Sequence, residues 1–164
     1  MISLVKQLET AVIAAMKSVV GDAAKVTGVR MSVADGSVKL ELSEGLPEVI
    51  VAVSPASSQS YASPVLEFPV AVSVRVEWSE DPTIAKFDEV AALIERKFME
   101  WNLRENIEDM GAALTTENFR ADGFTLAGGT DTVEPGNGRP TISTTMSFNV
   151  KGVFMAEAPT NQNT

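Results

Sequence analysis

Asp131 and Glu134 are the residues of this chain best placed to ligate a hard cation such as calcium. They stand in residues 128–138, Gly-Gly-Thr-Asp-Thr-Val-Glu-Pro-Gly-Asn-Gly. Their spacing fits no twelve-residue calcium loop, and a solvated turn accounts for the composition without a metal. The glycine pair Gly128 and Gly129 leads into neither a helix nor a lysine, so it is no phosphate cradle. Glu105, Glu108 and Asp109 would form a general acid and base pair only if a cleft brought them together; as a charge run they read as a solvated face. Serines are abundant, but none sits in a Gly-x-Ser-x-Gly elbow or a recognisable Ser-Lys motif. The chain has no histidine and no cysteine. That removes imidazole general bases, thiolate nucleophiles, zinc-thiolate centres and disulfides together. The expectation is a protein that is not an enzyme and carries no cofactor and no metal.

Charge narrows the partners. Thirteen Lys and Arg against twenty-two Asp and Glu leave a formal charge of -9, a field that repels phosphate backbones and anionic membranes. Stable nucleic-acid binding is not expected. No apolar run approaches the ~20 residues of a spanning helix, and the N-terminus lacks the pattern of a signal peptide, so a soluble chain is expected. The lack of cysteine fits a reducing compartment.

The elements that must position any site are organised around residues 65–101. Val70, Val72, Val74 and Val76 alternate with Ala71, Ser73, Arg75 and Glu77, the period of a half-buried strand. Asp81 then offers an N-cap and Pro82 a first helical residue. Ile84, Phe87, Val90, Ala91, Ile94, Phe98 and Trp101 follow at steps of three and four, with Lys86, Glu89, Arg96 and Glu100 largely off that stripe. Such a helix is unstable alone and must lie on the sheet.

Before this unit, Ser3 caps a first helix with an apolar stripe through Leu4, Val5, Leu8, Val12, Ala15, Met16 and Val19, stopped by Gly21. Its polar face holds Lys6 and Lys17 but also Glu9, which suits core packing better than a membrane surface. Extended segments at residues 26–33, 37–42 and 48–53, with Asp35-Gly36 as a turn, predict a small antiparallel meander. Residues 54–64 are small and polar with prolines near both ends, predicting an exposed loop or arm; a linker between two domains is the rival reading.

After the unit, residues 102–111 suit a short helix or irregular return ending at Gly111. Residues 114–127 alternate loosely, with Gly123 as a bulge or kink, and residues 128–138 read as a long hairpin loop. Ile142, Thr144, Met146, Phe148 and Val150 then mark one face of a closing strand over 141–150. The polar residues 157–164 predict a flexible tail. The fold class is α+β: a mostly antiparallel sheet with an N-terminal helix and a second amphipathic helix packed on it, one domain over residues 1–156.

This order of elements resembles the tail terminator or tail-completion (neck) proteins of tailed bacteriophages. The likeness is carried by the N-terminal helix, the strand Phe68-Pro-Val-Ala-Val-Ser-Val-Arg-Val-Glu-Trp entering a helix with Phe98 and Trp101 near its end, and the closing strand. It covers most of the chain and rests on architecture and length, with no diagnostic motif. The resemblance implies a homo-hexameric ring in the virion neck, assembled in the host cytoplasm. Such a ring caps the tail tube, contacts tube and head-to-tail connector proteins, and has an acidic lumen through which DNA passes without sticking. The family supplies no catalytic residues. Candidate subunit or tube contacts, chosen for exposure, are Ser57, Ser58, Gln59 and Tyr61 in the first soft loop. In the second they are Thr130, Asp131, Val133, Glu134 and Asn137. Other readings are a different neck or tube component, such as a head-to-tail connector, and a monomeric module binding a small ligand between sheet and helices.

Overall fold

The valine-rich stretch forms the central strand of the sheet, β4 (Val65–Glu77), and the helix that follows it, α2 (Asp81–Trp101), lies across the same core. The computed structural model describes residues 2–28, 46–58, 64–77, 81–134 and 140–156. In chain order the elements are α1 (Leu4–Val20), β1 (Lys25–Gly28), β2 (Glu48–Val53), β3 (Ser57–Ser58), β4 and α2. A 3-10 turn at Arg104–Asn106 leads into α3 (Ile107–Leu114), β5 (Phe119–Glu134) and β6 (Thr141–Phe154). The fold is α+β. Its sheet runs β1-β2-β4-β6-β5, with β3 also paired to β4.

Alternation dictates which face meets the helices. Val70, Val72, Val74 and Val76 are all buried, as are Val49 and Val51 on β2 and Phe148 and Val150 on β6. Register places Val49 opposite Val74, Val51 opposite Val72 and Phe148 opposite Val70, so these side chains share one face. Onto it pack Leu8, Val12 and Met16 of α1, Val90, Ile94 and Phe98 of α2, and Met110 and Leu114 of α3. Each such side chain removed from water contributes about 1.5–3 kcal/mol. The other face is knitted by hydroxyls: Ser73 Oγ and Thr145 Oγ1 lie 2.8 Å apart, and Thr132 Oγ1 and Ser143 Oγ 2.7 Å. Cross-strand pairs of this kind reinforce register.

The first helix starts and stops where its capping residues place it. Ser3 Oγ accepts a hydrogen bond from Lys6 N at 3.2 Å, and Gly21, at φ 57°, donates its N–H to Lys17 O. Ser3→Ala should therefore cost about 1 kcal/mol, read as a shift of the urea midpoint with unchanged slope.

Pro69 sits inside a central strand, where a missing N–H would ordinarily break a ladder. Here its carbonyl accepts from Ser54 N at 2.9 Å, so its backbone faces the β2 side. The ladder there is already interrupted between Val53, opposite Val70, and Ser57, opposite Glu67. Three residues on one strand face two on the other, a bulge that leaves the absent donor without consequence.

Three expectations are corrected. The first two described strands of the supposed meander, β1 and β2, pair in parallel, Lys25 opposite Glu48 through Gly28 opposite Val51. A hairpin cannot join parallel strands; they need a longer connection, and residues 29–45 between them lie outside the described ones, as does the expected strand 37–42. Gly111 does not end α3 but lies within it: a Cβ there would stand 3.1 Å from Ala121 O, so the glycine lets the helix ride close on β5. The long loop over 128–138 is largely strand. β5 continues to Glu134 in register with Thr141, because Gly128 (φ 119°) absorbs a second bulge between Leu126 and Gly128 and pairing then resumes. The bulge expected at Gly123 is present, between Ala121 and Gly123.

Candidate functional site

β5 is the last strand of the sheet order, and a strand there turns every second N–H and C=O outward. Over its first half three of those groups have partners. Phe119 O accepts from Thr116 N at 2.8 Å, Ala121 N donates to Thr115 Oγ1 at 3.2 Å, and Leu126 N donates to Asn102 Oδ1 at 3.3 Å. The connections around α3 thus cover that half of the edge in part. Past the bulge at Ala127 the outward phase passes to Gly129, Asp131 and Val133, opposite Met146, Thr144 and Ile142. Their outward groups have no hydrogen-bond partner among the described residues. Residues 129–134 contain neither lysine nor proline, the residues that commonly blunt an exposed edge.

Beside this open half lies a groove of about 310 Å³ between α2 and the β5–β6 pair. Ala91, Glu95 and Met99 form the helix wall, and Leu126, Asp131 and Met146 the sheet wall. It exists because Gly128 and Gly129 carry no side chains to fill the space. Met99 is 56% exposed and Val133 68%, so apolar surface continues from groove to edge. Glu95 and Asp131 are the charges on its rim. The nearby cations of α2 are engaged elsewhere: Arg96 with Glu100 at 3.5 Å, and Lys97 with Asp109 at 3.3 Å and over the Trp101 ring at 5.6 Å. The core between helices and sheet is filled by rings, Phe98 against Phe148 at 4.7 Å, so the gap is confined to the sheet's outer end.

The residues named from sequence separate into two places. Thr130, Asp131, Val133 and Glu134 stand in β5, in a paired strand rather than a ligating turn; Thr130, Asp131 and Val133 are exposed. Ser57 and Ser58 form β3, opposite Glu67 and Leu66 near the start of β4. The open half of β5 aligns through β6 with the far end of β4, around Arg75 and Glu77. The two sets are therefore not brought together; two strands and the length of β4 lie between them. Gln59, Tyr61 and Asn137 lie outside the described residues. Glu105, Glu108 and Asp109 are exposed on and just before α3, and Asp109 Oδ2 accepts from Trp101 Nε1 at 3.2 Å, an anchor for the α2–α3 corner. Among the described residues no three acidic side chains converge so as to hold a metal ion, and no helix is long and apolar enough to cross a membrane. Of the groove residues, the spacing marks Met146 on one face of the closing strand but not Glu95 or Met99, although Met99, an apolar residue off the buried stripe of α2, carries a signal.

No family model matches the sequence, and no curated protein matches it. Among solved structures, a chain described as "Virion of native gene transfer agent (GTA) particle" is similar over 92% of this chain and 92% of that chain, at 14% identity and a TM-score of 0.42. At that identity and score the likeness decides neither the fold nor the role.

Proposed function

We propose that this chain is a non-enzymatic structural protein of a phage-like virion, forming a homo-hexameric ring at the neck that caps the tail tube and joins tail to head. The observation that carries the reading is the open half of the β5 edge, a surface on which a protein that joins others can take a strand of a tube or connector protein. The contacts between copies then fall to other surfaces, one patch of each subunit meeting a different patch of the next, as a closed ring requires. A sheet edge supplies main-chain hydrogen bonds without a special motif. The formal charge of -9 suits a lumen that DNA traverses without binding.

Size-exclusion chromatography with light scattering, run over a range of concentrations, is the first measurement. A mass near six times 17.5 kDa, or a concentration-dependent rise toward it, is expected. Added to polymerising tail tubes, the protein should shorten them by capping. Open-ended growth instead would place it as a tube component. A strict monomer that leaves tube length unchanged would sink the ring reading and favour the small-ligand module.

A further inference from the structure

We propose that the open half of β5 takes an extended segment of a different protein as an added strand, with the pattern apolar, any residue, Lys or Arg, any residue, apolar. The phase of the edge sets this pattern. Gly129, Asp131 and Val133 point their backbone groups outward, so a strand laid against them places three alternate residues directly opposite, with side chains on the helical face. Opposite Gly129 the floor is bare and flanked by Leu126, Met99 and Met146, which favours an apolar side chain. Opposite Asp131, with Glu95 across the groove, a cation neutralises two carboxylates that have no basic partner among the described residues. Opposite Val133, 68% exposed, a second apolar residue is favoured. The order reads the same in both directions, so parallel and antiparallel docking are both served.

A second copy of this chain is a poor occupant. Antiparallel pairing of two such edges about their centre sets Asp131 against Asp131, and like charges directly opposite destabilise a sheet. The net charge of -9 draws a basic partner in.

The test uses the full chain and the acetylated, amidated peptide Thr-Val-Thr-Lys-Thr-Val-Thr bearing a fluorophore. Anisotropy reads binding, and hydrogen exchange locates it. Saturable binding with slowed exchange over residues 129–133 is expected. Replacing the peptide's lysine by glutamate should weaken binding at least about tenfold; N-methylating its valines should abolish antiparallel docking and N-methylating its threonines parallel docking, since each removes the main-chain donors that face the edge in that direction. In the protein, Glu95→Gln combined with Asp131→Asn should weaken binding about fivefold, the scale of two exposed ion pairs. The proposal fails if the peptide leaves residues 129–133 unprotected, or if the glutamate peptide, or both N-methylated peptides, bind equally well. It fails too if those amides become protected as protein concentration rises without peptide, since a second copy then occupies the edge. A monomeric result in the ring experiment leaves this proposal standing.

Discussion

Phe98→Ala is expected to lower the stability of the fold by about 3–5 kcal/mol, the range for truncating a buried aromatic. Phe98 is 1% exposed and lies at the meeting point of α2 and the sheet. Its ring centroid is 4.7 Å from Phe148, 6.0 Å from Phe124 and 6.1 Å from Trp101. Truncation leaves a space walled by three rigid rings, which cannot collapse into it, and removes pair energies of about 0.5–1.5 kcal/mol each. Against a total of about 5–15 kcal/mol for an ordinary domain, a loss of this size brings unfolding within reach at physiological temperature. Phe98→Leu keeps most of the volume and should cost about 1.5 kcal/mol or less. Urea titrations followed by circular dichroism give both numbers. An alanine variant within 1 kcal/mol of the parent would mean that α2 does not rest on Phe148 as described. Phe98 also lies beneath the groove beside β5, so the alanine variant should bind the extended peptide less well even where it remains folded.

The same region shows what the sequence can and cannot tell a reader. The face of β4 was legible because its period of two is uninterrupted, and α1 because Ser3 and Gly21 act locally through their own backbone bonds. The parallel pairing of β1 with β2 was not, since nothing in either strand states which distant partner it will meet. Residues 128–138 look like a loop in sequence because glycine and threonine beside aspartate favour turns. Yet Thr130, Thr132 and Val133 are β-branched, and β6 already presents a long regular partner to them. The glycines mark a bulge in a strand, not its end. The open edge follows from that difference: a loop has no outward ladder to offer, whereas a strand one place past its last cap has one. Of the two contact patches chosen for exposure, the second is therefore a candidate site for a reason exposure alone does not contain. The groove was half legible, in Met99 standing off the stripe of α2; its other wall needed the register of β5 on β6.

That register depends on one glycine, and Gly152→Ala is expected to be the most disruptive small substitution in the sheet. Gly152 is buried in β6 opposite Ala121. A Cβ added there would run into the Arg120 carbonyl, and would stand 2.5 Å from Cζ and 2.7 Å from Cε1 of Phe119. Neither neighbour can yield easily. Arg120 O is backbone, and Phe119 is 1% exposed, with its ring edge-on to Phe68 at 5.1 Å and 86°. Overpacking a core costs about 1–3 kcal/mol when side chains can adjust; with main chain in the way the loss should reach or exceed the top of that range. Gly28→Ala is the control. Its Cβ would meet the Glu9 carboxylate and, at 3.3 Å, Ile13 Cδ1, both ends of side chains that can swing away, so a loss below about 1 kcal/mol is expected. Adding Phe119→Leu to Gly152→Ala should recover part of the stability but not all, because the carbonyl clash remains; the double-mutant cycle separates the two contributions. Thermal melting ranks the variants, and a Gly152→Ala protein that melts with the parent would overturn the close packing of β5 on β6. Peptide binding supplies a second readout. If the strand relieves the clash by slipping one residue, every outward position turns inward. Gly129, Asp131 and Val133 would then face β6 and Thr130 and Thr132 outward, and an edge still folded would hold the lysine-centred peptide less well.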